Sequence, residues 1–170
     1  LYQYFREEKD KAVLMAKIGK YFAPEILEKI IDRPKMIFTR EKKDLTIFFS
    51  DVSKFSTWCA DKSPELIHST LNEYFDEMIK ILFKYGGTLD KFIGDGLMAF
   101  FGDPVDLPEH RTKAVFAAIE MQEKAKELEK KWEGTDKIPL KIRIGINAGD
   151  AVVGDMGATN IVEYTVIGAN

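Results

Sequence analysis

Cysteine is almost missing from this chain: Cys59 stands alone among 170 residues. One thiol closes no internal disulfide and offers no zinc-ligand spacing, so a reduced compartment and a fold held by packing are expected. Long hydrophobic runs are missing too. The longest are strand-sized, too short to cross a bilayer as a helix. There is no global basic field, since the formal net charge is −3, and no nucleic-acid partner is expected. Internal repeats and low-complexity tracts are absent. The chain starts with Leu1 and no signal-peptide pattern follows, so it reads as an excised piece. That leaves room for an upstream sensor and for a membrane anchor before Leu1.

What is present suits one domain with an appendage: 45% hydrophobic and 31% charged residues, enough apolar material for a core. The charge is uneven. Residues 1–43 carry eleven Lys/Arg against seven Asp/Glu, leaving −7 on residues 44–170. Residues 1–43 read as an N-terminal helical linker or coiled-coil end. Leu14, Ile18 and Phe22 recur at helical spacing, and Pro24 opens a short helix carrying Ile26, Leu27, Ile30 and Ile31. The basic bias there reads as an exposed helix face rather than a membrane-binding patch.

Residues 44–50, DLTIFFS, are rich in β-branched and aromatic types and predict a buried strand. Ser63-Pro64-Glu65 supplies an N-cap, a first-turn proline and a first-turn acid. The helix that follows presents Ile67, Leu71, Phe75, Met78 and Leu82 on one face and stops at Gly86-Gly87. Strands are expected at Thr88–Ile93 and Leu97–Phe101, with the Asp95-Gly96 pair favouring a tight hairpin. A second helix is expected from about Pro108 to Lys131. Leu140, Ile142, Ile144 and Ile146 then alternate with polar or small residues as a half-buried strand, and short strands are expected near Ala151–Gly154 and Val162–Ile167. The order β-α-β-β-α-β predicts an α+β fold with a ferredoxin-like core. That plan hosts many activities, so it does not give function.

Topology makes one sharper prediction. The crossover after the first strand returns parallel to it, so strands one and two end at the same edge of the sheet. Asp51 ends strand one and Asp95 lies just past strand two, forty-four positions later, yet they should meet. Two carboxylates beside glycine-rich backbone suit Mg²⁺ or Mn²⁺, hard ions that take oxygen ligands and keep positions open for phosphate oxygens. Two such ions could clamp an in-line displacement at phosphorus.

Here the chain becomes recognisable. Phe48-Phe49-Ser50-Asp51-Val52-Ser53-Lys54-Phe55-Ser56 resembles the first metal motif of class III adenylate and guanylate cyclases. The run Gly86-Gly87-Thr88-Leu89-Asp90-Lys91-Phe92-Ile93-Gly94-Asp95-Gly96-Leu97-Met98-Ala99-Phe100-Phe101 is similar to the second. Ile144–Gly149 and Tyr164–Gly168 look like later family segments. The resemblance identifies residues 44–170 as a class III cyclase catalytic domain, bacterial adenylate cyclase type, lacking its C-terminal part. It implies two metal ions per site on Asp51 and Asp95, with the Val52 carbonyl assisting. The ribose 3′-hydroxyl attacks the α-phosphate of ATP, giving 3′,5′-cyclic AMP and pyrophosphate. Backbone amides around Ser53, Lys54 and Phe55 are implied to hold the terminal phosphates. Lys91 and Thr165 match the base-selecting positions, and Lys with Thr favours adenine. The resemblance further implies a head-to-tail homodimer, with metal carboxylates from one protomer and base-reading residues from the other, in a cytoplasmic domain serving signal transduction.

Two departures stand out. Lys54 occupies a position where many members have glycine, which either alters the phosphate loop or adds a cation to it. The family's ribose-orienting asparagine and transition-state arginine would fall beyond Asn170, so the 170-residue piece alone is expected to be nearly inactive. The other functions weighed are a guanylate cyclase, a catalytically silent dimerisation or regulatory domain, and a diguanylate cyclase. The last lacks its acidic Gly-Gly hairpin here. His68 and His110 are expected in surface or helix-end roles, Cys59 as a packed residue and Trp132 as the anchor of helix two.

Overall fold

The computed structural model describes residues 40–158 and 161–168, so the expected N-terminal helices lie outside the described residues. Five strands form one sheet: β1 (Glu41–Val52), β2 (Thr88–Ile93), β3 (Gly96–Phe101), β4 (Ile142–Ala158) and β5 (Ile161–Gly168). Among the described residues three helices accompany it: α1 (Phe55–Cys59), α2 (Pro64–Lys84) and α3 (His110–Trp132). The strand order is β2-β3-β1-β4-β5, and every neighbouring pair is antiparallel. β1 and β2 both oppose β3, so they run the same way. The expected ferredoxin-like arrangement is present, and both strands end at one edge.

Helix α2 forms where the caps predict it. Ser63 accepts from the Leu66 amide at 3.3 Å, Pro64 opens the first turn, and Gly86 at φ 77° follows its C-cap. Its buried face brings Tyr74, Met78, Ile81 and Leu82 against Phe48, Val52, Leu89 and Ala99 of the sheet. Helix α3 adds Ala114, Ala117, Met121, Ala125 and Leu128 to the same core, and Trp132 anchors its end as expected. Burying each large side chain contributes roughly 1.5–3 kcal/mol. Leu45, Phe100, Ala151, Val153 and Val166 form a separate, smaller cluster. In it no described helix takes part.

The sheet curls strongly. β2 and β5 are its outer strands, yet the Thr165 hydroxyl donates to Asp90 Oδ2 at 2.5 Å. Tyr164 likewise reaches back to Asp103, beyond the end of β3. The two edges thus meet across the small cluster.

Three expectations need correcting. The segments read as separate strands near residues 140–146 and 151–154 are one strand, β4. Gly149 and Asp150 looked like a break, but β1 pairs with β4 from Glu41↔Val153 to Val52↔Ile142 and carries the ladder through them. An exposed ion pair, Lys42–Asp150 at 2.9 Å, lies across that stretch. β1 itself starts at Glu41 rather than Asp44, lengthened by the same pairing. Finally, the hairpin turns on Gly94-Asp95 rather than Asp95-Gly96. Ile93 pairs with Gly96, and Gly94 takes the positive φ of 61°.

Among the described residues no helix is long and apolar enough to cross a membrane. His110 sits at a helix end as expected, but buried rather than on the surface. Its Nδ1 lies 2.7 Å from Thr46 Oγ1.

Candidate active site

The two carboxylates meet. Asp51 and Asp95 line one open cavity of about 580 Å³, together with Phe49, Gly96, Arg143 and Gly145. Asp51 arrives on the last turn of the β1 ladder. Asp95 arrives on the β2–β3 hairpin, where its Oδ2 accepts the Val52 amide at 3.0 Å. That bond ties the hairpin tip to the residue after Asp51. Gly96 permits the approach: a Cβ there would sit 2.5 Å from the Ser50 carbonyl oxygen and 3.6 Å from the Asp51 Cβ. Only a residue without a side chain lets β3 run this close to β1.

Arg143 is the part of the site that sequence reasoning missed. It faces Asp51 directly in the β1–β4 register. Its Nε donates to Asp51 Oδ1 at 2.7 Å and its terminal nitrogen to Oδ2 at 2.9 Å, a bidentate pair. The alternation of β4 placed Arg143 on the polar side of its strand. It gave no pairing partner, because cross-strand register is not written in one strand. The pair is half exposed, with Asp51 at 46%.

The carboxylates project a negative field into their surroundings. Tyr74, buried beneath the site, has its phenol pushed up to about 12, mainly by burial and further by Asp95 and Asp51. Burial, followed by the Asp95 charge, also raises the Cys59 thiol, which sits partly exposed at the end of α1. Such a field attracts cations.

The donor set fits a hard divalent cation. Two carboxylates with neighbouring backbone carbonyls supply oxygen only, and Mg²⁺ or Mn²⁺ bound by one or two carboxylates fills its remaining positions with water and phosphate. Among the described residues no cluster of three or more His, Cys, Asp or Glu side chains forms a self-sufficient metal cage. An open site completed by a phosphate substrate is what these residues can build.

The loop after β1 has a defined backbone. Lys54 adopts φ 61° and ψ 20°, the left-handed conformation that glycine favours. The backbone at this position is thus one that a glycine would adopt without strain. Lys54 caps the N-terminus of α1, its carbonyl accepting the Trp58 amide at 3.1 Å. The Ser53 amide is not available as expected, because it donates to the Lys141 carbonyl at 2.7 Å. Its place in the loop is fixed by that bond. The amides of Lys54 and Phe55 open the first turn of α1, where helical amides have no partner within the helix.

The base-reading candidates also converge. Lys91 lies on β2 and Thr165 on β5, at opposite edges of the sheet, and Asp90 joins them. Thr165 donates to Asp90 Oδ2, while the Lys91 ammonium stands 3.6 Å from Asp90 Oδ1. A register shift between Leu89 and Lys91 sets Asp90 apart from the regular ladder. Lys91 pairs with Met98, which pairs with Phe49, so Lys91 shares a face of the sheet with Asp51.

Comparison with known proteins gives the family. The family model described as the Adenylate and Guanylate cyclase catalytic domain matches residues 37–170. Adenylate cyclase 1 of Rhizobium meliloti is 30% identical over 127 residues, covering 75% of this chain and 19% of the relative. Among solved structures, the adenylyl cyclase CyaB from P. aeruginosa superposes with a TM-score of 0.73 at 42% identity, covering 78% of this chain and 69% of that one. The guanylyl cyclase Cya2 superposes with a TM-score of 0.72 at 35% identity, covering 76% and 66%.

Proposed function

Since the chain belongs to the adenylate and guanylate cyclase catalytic domain family, we propose that it is the catalytic portion of an adenylate cyclase, converting ATP to 3′,5′-cyclic AMP and pyrophosphate. One observation carries the reading: Asp51 and Asp95 open into one cavity, with Asp95 bonded to the Val52 amide. Asp51, Asp95 and the Val52 carbonyl would hold two Mg²⁺ or Mn²⁺ ions. Divalent cations bound there supply charge stabilisation to the phosphates and a lower pKa to the attacking hydroxyl.

The chain's own residues do the positioning. Arg143 holds the Asp51 carboxylate in one orientation through two parallel bonds. The Lys54 and Phe55 amides and the Lys54 side chain receive the terminal phosphates, since oriented amides and a cation favour anions. Lys91 donates to a ring nitrogen of the base, and the Thr165 oxygen accepts from the adenine amino group.

The site is completed by a second copy. Phe49, beside Asp51 in the cavity, is 46% exposed, and Ile93, next to the hairpin, is 54% exposed. Apolar residues around a polar site suit an interface. A two-fold arrangement of identical chains would pair the carboxylates of one protomer with Lys91 and Thr165 of the other, making two sites. The residues before β1 would pass a signal from an upstream sensor by changing how the two copies face each other. ATP as substrate places the domain on the cytoplasmic side of any anchored protein.

A guanylate cyclase is the second reading, because solved relatives of both kinds superpose equally well. The Lys91/Thr165 pair favours ATP. The test is turnover of ATP and GTP by the full-length protein with Mn²⁺. ATP is expected to react much faster, and equal rates would overturn the base assignment.

A further inference from the structure

Asp90 has no part in the chemistry above, yet it occupies an unusual place. It is 6% exposed, at the irregular point of β2, and its carboxylate lies between the two base-reading side chains. One oxygen, Oδ2, takes the Thr165 hydroxyl hydrogen at 2.5 Å. The other, Oδ1, stands 3.6 Å from the Lys91 ammonium. The Val166 backbone, next to Thr165, also favours the charged form of this carboxylate.

A hydroxyl has one hydrogen and two lone pairs, and its hydrogen turns to whatever acceptor lies nearest. A threonine at a base-reading position is therefore ambiguous alone. It can accept from an amino group or donate to a carbonyl. Adenine carries an amino group at C6 and guanine a carbonyl, so an unfixed hydroxyl would serve both. A carboxylate that takes the hydrogen removes the ambiguity.

We propose that Asp90 is the positioning residue that sets base specificity: by holding the Thr165 hydrogen it leaves that oxygen able only to accept, so the pair takes a purine with an amino group at C6 and turns away one with a carbonyl. The inference rests on the assignment of Lys91 and Thr165 to the base. The Lys91 charge is the counter-ion that keeps this carboxylate an acceptor. Burial raises the Asp90 pKa, while the Thr165 hydrogen bond and the Lys91 charge oppose that rise. A site that leaves a buried polar group facing the wrong partner discriminates strongly.

The test uses the full-length protein and compares kcat/KM for ATP and GTP. D90N, close in shape to the parent, removes the fixed acceptor and can donate to the Thr165 oxygen, freeing its hydrogen to face a carbonyl. The ATP:GTP ratio is expected to fall about tenfold or more, with the loss carried by KM for ATP more than by kcat. D90S serves if D90N does not fold. T165V should lower the ratio comparably, T165S should keep it, and D90N added to T165V should lower it no further. If T165V lowers the ratio and D90N and D90S leave it unchanged, Asp90 does not set specificity although the base assignment stands. If T165V also leaves it unchanged, the base assignment falls and this inference with it. Independent, additive effects of D90N and T165V, accompanied by a lower Tm, would show a purely structural role and overturn the proposal.

Discussion

Replacing Lys54 with glycine separates two consequences of one residue. An L-residue held at φ 61° is in a conformation that costs roughly 1–2 kcal/mol relative to right-handed backbone. Glycine removes that cost but gains freedom in the unfolded chain, which takes back roughly 0.5–1 kcal/mol. Lys54 also caps α1 without a side-chain hydrogen bond, so no capping bond is lost. K54G should therefore stabilise the fold by about 0.5–1 kcal/mol, a rise in Tm of about 2 °C. The same change removes a cation from the loop proposed to hold the terminal phosphates. A partly exposed charge contact of this kind is worth about 1 kcal/mol, so KM for ATP should rise roughly fivefold. The assay is thermal denaturation beside steady-state kinetics, with K54A as a second variant that keeps the strain and loses the charge. K54A should raise KM without raising Tm. A lower Tm for K54G would refute the strain argument. An unchanged KM would remove Lys54 from the substrate contacts.

Two further outcomes follow from packing and charge. G96A places a methyl against the Ser50 carbonyl, 2.5 Å away, where backbone must shift. It should cost about 2 kcal/mol and weaken Mn²⁺ binding, measured calorimetrically, by parting β3 from β1. The Glu73 carboxylate is held at about 2, well below its ordinary value, by hydrogen bonds from Lys131 and Lys137. Its folded pKa is depressed, so its contribution is present above the unfolded value and is lost as pH falls towards 2. Glu73 is a quarter exposed, and allowing for solvent screening the pairing is worth about 1 kcal/mol. E73Q should flatten the loss of stability between about pH 5 and pH 2 by that amount in urea titrations.

Local chemistry made much of the fold legible. The Ser63-Pro64-Glu65 start, the Gly86-Gly87 stop and the apolar face between them defined α2. The β-α-β-β order carried the strand directions, and with them the meeting of Asp51 and Asp95. What stayed hidden depends on partners across the sheet. Arg143 reads as a polar strand residue until β4 is set in register with β1. The same long ladder fuses two expected strands into one. Asp90 reads as a residue preceding a lysine until the sheet curls and brings Thr165 from the far edge. The left-handed backbone at Lys54 is not signalled by lysine itself, and only the glycine that many family members carry at this position pointed to it.

Cyclic AMP formation by the full-length protein with Mn²⁺ tests the two carboxylates most directly, compared with D51A and D95A, each checked for a retained fold by circular dichroism. Both variants should keep the fold, lose Mn²⁺ binding and fall to background turnover. A folded D51A or D95A that still converts ATP to cyclic AMP would contradict the assignment of the two carboxylates.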